Sequence, residues 1–501
     1  MVEYLQEMDF LKARSPHPMS FIHCNGPSGI CLSYFLSGYR PYVREGAAHP
    51  NPILHRKLQQ ISGQLLLDQD LEYLSEGLDG RTSSPLGLLF DALVRPEGDQ
   101  GGTVESQLTW RRELQHSVPH LVLGKGPPGG AWQAMEGSMV TLSLGDWMEM
   151  PDLSFRDWMK RRGRQLRNNR STTRDIAQYY QHYVEAKGLQ EHFRCGTLVT
   201  SVRLLPSDTS PGMLDVEDCS QEGYSGESGD AVSTLFEIQG AQEEMGGTRR
   251  PFCLYARNVV LATGTYDRPT HLGVEGEDLP YVFHTIGDLE QALQTRSIGP
   301  GSDPLLVVGA GLSAADAVLL AHGRGVPLLH AFRRDVQDSA LIFNQLPALM
   351  YPEYHKVHAM MRTQPLATGG PYCGYTSLPK HRMLSFAPGG KCTLQEIRGG
   401  GHRNGKSQVF HVSMALVLIG SNPNLSFLRN EGRDLALDPG QPVSAKRNPL
   451  DVDPFTYEVT KQPGLYALGP LAGDGFVRFL QGGPLGVVTS LLRKEVSART
   501  L

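Results

Sequence analysis

The chain has 501 residues, 40% of them hydrophobic and 20% charged, with a formal net charge of −5. That length predicts two or three cores, and that balance describes a folded chain without the basic field a nucleic-acid partner needs. No apolar run reaches the length of a membrane span, and the seven scattered cysteines form no C-x-x-C pair, which suits a reducing compartment and signals neither a zinc site nor a redox dithiol. The start, MVEYLQEMDF, lacks the basic opening of a secretory signal and the Arg-rich, acid-poor character of a transit peptide. The expected location is cytoplasmic, with mitochondrial or nuclear pools left open.

The first informative stretch is FIHCNGPSG, residues 21–29. The dinucleotide fingerprint G-x-G-x-x-G wants glycine at its first, third and sixth places. Gly26 and Gly29 hold the third and sixth, Cys24 stands at the first, and Ser28 precedes the last glycine. Residues 30–36 fit a helix ended by Gly38, and residues 39–45 fit a second strand weakened by Pro41, which has no N–H for a ladder. Glu45 lies 21 residues after Cys24, near the ~20-residue spacing of a ribose-binding acid. It is equally a plain surface acid. Residues 46–117 read as an insertion of helices and loops.

Next comes G-G-x-W, with Gly129, Gly130 and Trp132. Two glycines let the backbone approach a flat ring and tryptophan adds a wall, although a Pro-Gly turn before a core tryptophan reads the same way. The run Lys160-Arg161-Arg162-Gly163-Arg164 reads as a solvated helix face rather than a targeting or nucleic-acid signal. Residues 206–233, rich in Ser, Gly, Asp and Glu, read as a mobile acidic loop between strands. Residues 258–264 form an apolar strand ending in Ala262-Thr263-Gly264.

A second fingerprint follows in PLLVVGAGLSAAD, residues 304–316. An apolar strand leads into Gly309, Gly311 and Ala314, with Ser313 beside them, and a helix continues. The first glycine permits the tight turn, the second admits a pyrophosphate, and the small third residue lets helix and strand pack. The next strand, residues 326–332, ends in Arg333-Arg334. An acid at that place binds the ribose hydroxyls of NAD, and arginines there suit the 2′-phosphate of NADPH. Residues 415–424 give another strand, glycine and proline turn. Residues 464–493 bring Gly469, Asp474 and Gly483, then a helix from Leu485 whose N-terminus offers free N–H groups.

In this order the motifs resemble the two-dinucleotide flavoproteins, specifically FAD- and NADPH-dependent monooxygenases, over most of the chain. Within that class, NGPSGICLSYFLSGYRPY (25–42), LDQDLEYLSEGLDGR (67–81), GGAWQAMEGSMVTLS (129–143) and RDIAQYYQHYVEAKGL (174–189) resemble the oxidative stress-induced growth inhibitor family. The resemblance implies an α/β fold of two Rossmann-like dinucleotide-binding domains, with an NADPH domain (291–404) inserted in a split FAD domain (15–290 and 405–501). It implies FAD on Cys24, Gly26, Ser28, Gly29, Glu45, Gly130, Trp132, Thr263, Gly264, Gly469, Asp474 and Gly483. It implies NADPH on Gly309, Gly311, Ser313, Ala314, Arg333 and Arg334. It also implies a role in growth inhibition, differentiation or apoptosis under oxidative stress.

Three departures stand out. Cys24 replaces a glycine, Gly469 is followed by Pro470 where the pattern has Asp, and Phe283-His284-Thr285 matches the linker motif only in part. Asp474 is the candidate replacement acid, and His284 is either the domain-coupling histidine or an ordinary loop histidine. Neither a catalytic side chain nor a metal is assigned. Three readings follow. The first is a monooxygenase using oxygen and a small nucleophilic or carbonyl substrate. The second is an NADPH oxidase releasing peroxide. The third is a regulator with weakened cofactor binding that acts through protein partners in growth control.

Overall fold

The computed structural model describes residues 20–46, 48–99, 104–135, 137, 139–164, 169–205, 234–244, 247–362, 373–397 and 405–500. The expected acidic loop at 206–233 lies outside them. The chain forms two compact units, Met1–Thr265 with Pro423–Leu501, and Tyr266–Asn422.

The first unit begins with β1 (Ser20–His23), α1 (Pro27–Leu36), β2 (Tyr39–Val43), α2 (Pro52–Gln60), α3 (Leu71–Ser75) and α4 (Pro85–Val94). It continues through β3 (Leu108–Arg112), β4 (His120–Leu123), α5 (Ala131–Ala134), α6 (Phe155–Arg161) and α7 (Thr173–Ala186). Then come β5 (Phe193–Arg194), β6 (Thr197–Leu204), β7 (Phe236–Glu243), β8 (Arg249–Ala256) and β9 (Asn258–Leu261).

The second unit holds β10 (Arg268–Pro269), β11 (Val282–Phe283), α8 (Ile286–Gln294), β12 (Leu305–Val308), α9 (Leu312–Gly323), β13 (Leu328–Phe332) and α10 (Pro352–Met361). It ends with β14 (Tyr375–Pro379), β15 (His381–Ala387), β16 (Lys391–Glu396), β17 (Ser407–His411), β18 (Met414–Val417) and β19 (Ser421–Asn422). The chain then returns to the first unit for β20 (Leu465–Ala467), α11 (Val477–Leu480) and α12 (Gly482–Thr500).

Each unit is built on a five-stranded parallel sheet, β20-β9-β1-β4-β5 in the first and β11-β18-β12-β13-β14 in the second. The fingerprint strands β1 and β12 are central in both. Their four residues are all buried, as a parallel strand covered on both faces must be. Each unit also carries a three-stranded antiparallel sheet, β6-β7-β8 or β15-β16-β17.

The second unit begins and ends outside the expected limits of 291 and 404. The cause is pairing: β11 lies parallel to β18, and β10 lies antiparallel to β19. Those strands tie residues 266–290 and 405–422 to the second unit.

The insertion expected at 46–117 starts earlier. β2 does not join the parallel sheet. It pairs antiparallel with β3, Pro41 standing opposite Trp110. The strand beside β1 is β4, in register Ser20 to His120. Arg40 is buried, donating from Nη1 to the Phe35 carbonyl at 2.7 Å and from Nη2 to the His116 carbonyl at 2.5 Å. At Phe35 it adds a second donor to a carbonyl at the end of α1 that already accepts from Gly38 N–H at 3.1 Å.

The core of this unit is aromatic. Tyr179, Tyr180 and Tyr183 of α7 are fully buried, and their hydroxyls donate to the carbonyls of Leu153, Met148 and Pro151. Most buried hydroxyls need such partners. The basic run, which begins in the last turn of α6, is engaged locally: Arg162 donates to Gln178 at 2.9 Å, and Arg164 pairs with Asp175.

Candidate dinucleotide-binding sites

Six helices begin on Asn51, Asp70, Ser84, Ser154, Thr172 and Thr285, and in each the side chain accepts a backbone N–H of the first turn. The two fingerprint helices differ. α1 begins on Gly26 and α9 on Gly311, with no side-chain cap. Their first N–H groups remain available at the positive end of the helix dipole, which is what an anion requires.

The residues leading into these helices are equivalent. Gly309 has φ +137° and Cys24 has φ +105°. Both turn the chain out of the central strand through a region that favours glycine, so Cys24 occupies a glycine conformation with a side chain attached. A Cβ on Gly29 would lie 2.1 Å from the Cys24 carbonyl oxygen, and in the second unit Ala314 at the same place is fully buried. The sixth fingerprint position therefore sets the close helix–strand approach in both units.

Three further predicted segments gather at the Cys24 loop. Gly129 N–H donates to the Asn25 carbonyl at 2.8 Å, and a Cβ on Gly130 would lie 2.8 Å from Gly26 Cα. Ala262 N–H donates to the His23 carbonyl at 3.0 Å, which places Thr263 and Gly264 beside the loop. The hydroxyl oxygen of Thr263 is buried with no hydrogen-bond partner among the described residues. A Cβ on Gly469 would lie 2.7 Å from Ser28 Oγ. Trp132 is half-buried on α5 with its ring 6.5 Å from that of Tyr180.

Glu45 is not in this group. It is exposed beyond the end of β2, against Gly63. On the side away from β9 the parallel neighbour of β1 is β4, and β4 runs into Gly124-Lys125. The end of β4 thus carries no carboxylate. A Cβ on Gly124 would lie 2.2 Å from Asn25 Cγ. Asn25 is buried, and its Nδ2 donates to the Gly126 carbonyl at 2.7 Å.

Asp474 is also committed elsewhere. It is buried, and Tyr457 donates its hydroxyl to Oδ2 at 2.9 Å. The same hydroxyl lies 2.6 Å from Ser84 Oγ, which caps α4 through Gly87 N–H. Burial pushes the Asp474 carboxyl up to about 7, although the Tyr457 hydrogen bond opposes it. Gly482 and Gly483 open α12 in close packing, their Cβ positions 2.3 Å from Leu86 and 2.6 Å from Leu468 Cδ2.

In the second unit Gly311 and Ser313 are exposed at the start of α9, and Arg333 and Arg334 are exposed just beyond β13. Arg334 pairs with Asp338 at 2.7 Å. Lys380 follows β14, the next strand, and pairs with Asp335 at 2.5 Å. With Arg333 it lines a surface cavity bounded also by Glu396 and Ile397. Sequence reasoning missed Lys380 because strand adjacency, not chain distance, brings it there.

His330 was missed as well. It is fully buried on β13, with Nε2 2.7 Å from the Gly309 carbonyl and Nδ1 2.7 Å from Tyr375 Oη. A carbonyl only accepts, so Nε2 carries the proton and Nδ1 accepts from the tyrosine. Burial lowers this imidazole to about 4, despite the Gly309 bond. A neutral histidine thus braces the first glycine of the second fingerprint. His284 follows β11, with Nε2 3.0 Å from Glu277 Oε1.

No helix among the described residues is long and apolar enough to cross a membrane. No family model matches the chain. Among solved structures it is similar to bacillithiol disulfide reductase from Staphylococcus aureus, with TM-score 0.55 and 14% identity over 96% of this chain and 99% of that one. It is also similar to ornithine hydroxylase from Pseudomonas aeruginosa, with TM-score 0.52 and 12% identity over 96% and 99%. At those identities the likeness shows the fold, that of flavoprotein reductases and monooxygenases. Human oxidative stress-induced growth inhibitor 1 is 53% identical over 488 residues, 97% of this chain and 98% of the relative. Human oxidative stress-induced growth inhibitor 2 is 49% identical over 472 residues, 94% and 92%. By identity of that order along nearly its whole length, the chain belongs to the oxidative stress-induced growth inhibitor family.

Proposed function

We propose that this chain is an FAD- and NADPH-dependent monooxygenase, taking a small-molecule substrate and oxygen, with a role in growth inhibition under oxidative stress. The observation that carries the reading is the pair of uncapped, glycine-started helices, each following the central strand of a parallel sheet. The cofactors fit where their phosphates need to be held. In the first unit Gly26, Ser28, Gly29, Gly130 and Gly469 converge on one helix start, and the orphaned Thr263 hydroxyl lies beside it. In the second, Gly311 and Ser313 would hold the pyrophosphate and Arg333 and Lys380 the 2′-phosphate. FAD would supply the exchange of electrons between nicotinamide and oxygen. The protein's part is to bind, orient and exclude water.

A second reading, a growth regulator with weakened FAD binding that acts through protein partners, has its own support. Cys24 strains the first turn, Gly124 stands at the ribose acid's place, and Asp474 is tied to Tyr457.

A flavin spectrum of the purified full chain, before and after NADPH without oxygen, separates the two. Bound flavin that bleaches supports the enzyme, and oxygenated product formed with NADPH use distinguishes monooxygenase from a peroxide-releasing oxidase. Protein that takes up no FAD on reconstitution overturns the enzyme reading.

A further inference from the structure

Two histidines in the second unit converge on one oxygen of a buried carboxylate. Glu277 is held from both sides: Leu272 N–H donates to Oε1 and Gly273 N–H to Oε2, each at 2.8 Å. His284 Nε2 lies 3.0 Å from Oε1, and His271 Nδ1 lies 3.6 Å from the same atom. The last distance is too long for a hydrogen bond. The three ligand atoms all lie within 4.8 Å of one another.

The frame around them is fixed. Glu277 sits between β10 and β11, both paired in sheets. Gly276 has φ +78° and packs so closely that a Cβ would lie 2.0 Å from the Phe386 carbonyl oxygen. The Glu277 side chain is 6% exposed and that of His284 13%, whereas that of His271 is 53% exposed and leaves one side open to water.

We propose that His271, Glu277 and His284 form a binding site for a divalent metal of borderline softness, zinc above all. Two imidazoles and a carboxylate are a standard zinc donor set, with metal–ligand distances of about 2.0–2.2 Å that bring donor atoms roughly 3.4 Å apart in a tetrahedron. The two separations to Glu277, 3.0 and 3.6 Å, are close to that spacing, and the two imidazole donors lie within 4.8 Å of each other. The backbone N–H bonds to Glu277 orient the ligand as outer partners do in metal sites. The exposed side would hold a water as the fourth ligand. None of the three ligands is among the residues proposed to hold either dinucleotide.

The test uses the full chain with Cys219 and the exposed cysteines of the described residues, Cys195, Cys253 and Cys373, changed to serine to reduce competition from thiols. Zinc affinity is measured by competition with a chromophoric chelator, and thermal unfolding is followed with and without zinc. The expected result is one zinc per chain and a rise in melting temperature on addition. H271A and H284A should each weaken binding by at least about 100-fold. Because His271 is exposed, H271A should fold normally without metal and lose only the zinc-dependent rise. No uptake by the folded chain, or uptake unchanged by H271A, overturns the proposal.

Discussion

A Cβ placed on Gly124 would lie 2.2 Å from the Asn25 side chain, which itself reaches across to the Gly126 carbonyl. Asn25 thus fills the space at the end of β4, and residue 124 is glycine because of it. G124A should displace Asn25 and cost about 1–3 kcal/mol by overpacking. N25A/G124A should recover most of that loss, a coupling that a double-mutant cycle reads directly. N25A/G124E should bind FAD about tenfold more tightly than the parent chain, the worth of one charge-assisted hydrogen bond. Fluorescence titration with FAD checks it, and no gain would place the ribose elsewhere.

The strain at Cys24 has a measurable size. Holding a non-glycine residue at φ +105° costs about 1–3 kcal/mol. Glycine returns about 0.5–1 kcal/mol of that through unfolded-chain entropy. C24G should therefore stabilise the chain by about 1 kcal/mol in urea unfolding and raise FAD content. C24V, branched at Cβ, should do the opposite. Equal stability of Cys24 and glycine would mean that the side chain's contacts offset the strain.

How much of this was readable in the sequence follows from where the information sits. The fingerprints are local, so Gly26, Gly29, Gly309 and Ala314 could be read from spacing alone. Glu45 could not, because its spacing fits a strand next to β1, and strand order is a property of the sheet. Pro41 was the local warning, and the structure pairs β2 with β3. Asp474 lies near the right place in the chain, but its carboxyl direction depends on Tyr457 and, through it, Ser84. Lys380 and His330 become neighbours of the fingerprint only once β12, β13 and β14 lie side by side. The unit limits moved because two-residue strands such as β10 and β19 carry no sequence signal of their own.

Two buried groups give the chain opposite pH dependences. His330 is lowered in the fold to about 4 from an ordinary value of 6.5. The unfolded chain binds the proton first, so this contribution is full above about pH 6.5 and is lost as pH falls to about 4. The loss is about 3 kcal/mol. H330Q, which keeps an N–H donor for Gly309, should flatten the urea midpoint across that window. Asp474 is raised to about 7 from 3.8. The folded state keeps the proton longer, so that contribution is present at low pH and is lost as pH rises through about 7. D474N keeps an acceptor for Tyr457 and cannot ionise. It should be more stable than the parent chain at mildly alkaline pH, by about 4 kcal/mol at most. Loss of FAD binding in D474N with stability gained would give Asp474 a role toward the cofactor as well.

The cations at the ends of β13 and β14 make separable predictions. Arg334 is held by Asp338 and Lys380 by Asp335, whereas Arg333 makes no ion pair with a described residue. Arg333 is thus the guanidinium free to take a 2′-phosphate in a bidentate grip. R333A should weaken NADPH binding by about tenfold or more and leave NADH binding unchanged, since one charge-assisted bond is worth about 1.5–3 kcal/mol. K380A should act in the same direction, and R334A less, because Asp338 already competes for it. D335N should tighten NADPH by freeing Lys380. Isothermal titration of the full chain with each nucleotide reads all four. If R333A weakened both nucleotides alike, the 2′-phosphate would not be what Arg333 recognises, and the preference for NADPH over NADH would have to reside elsewhere in the second unit.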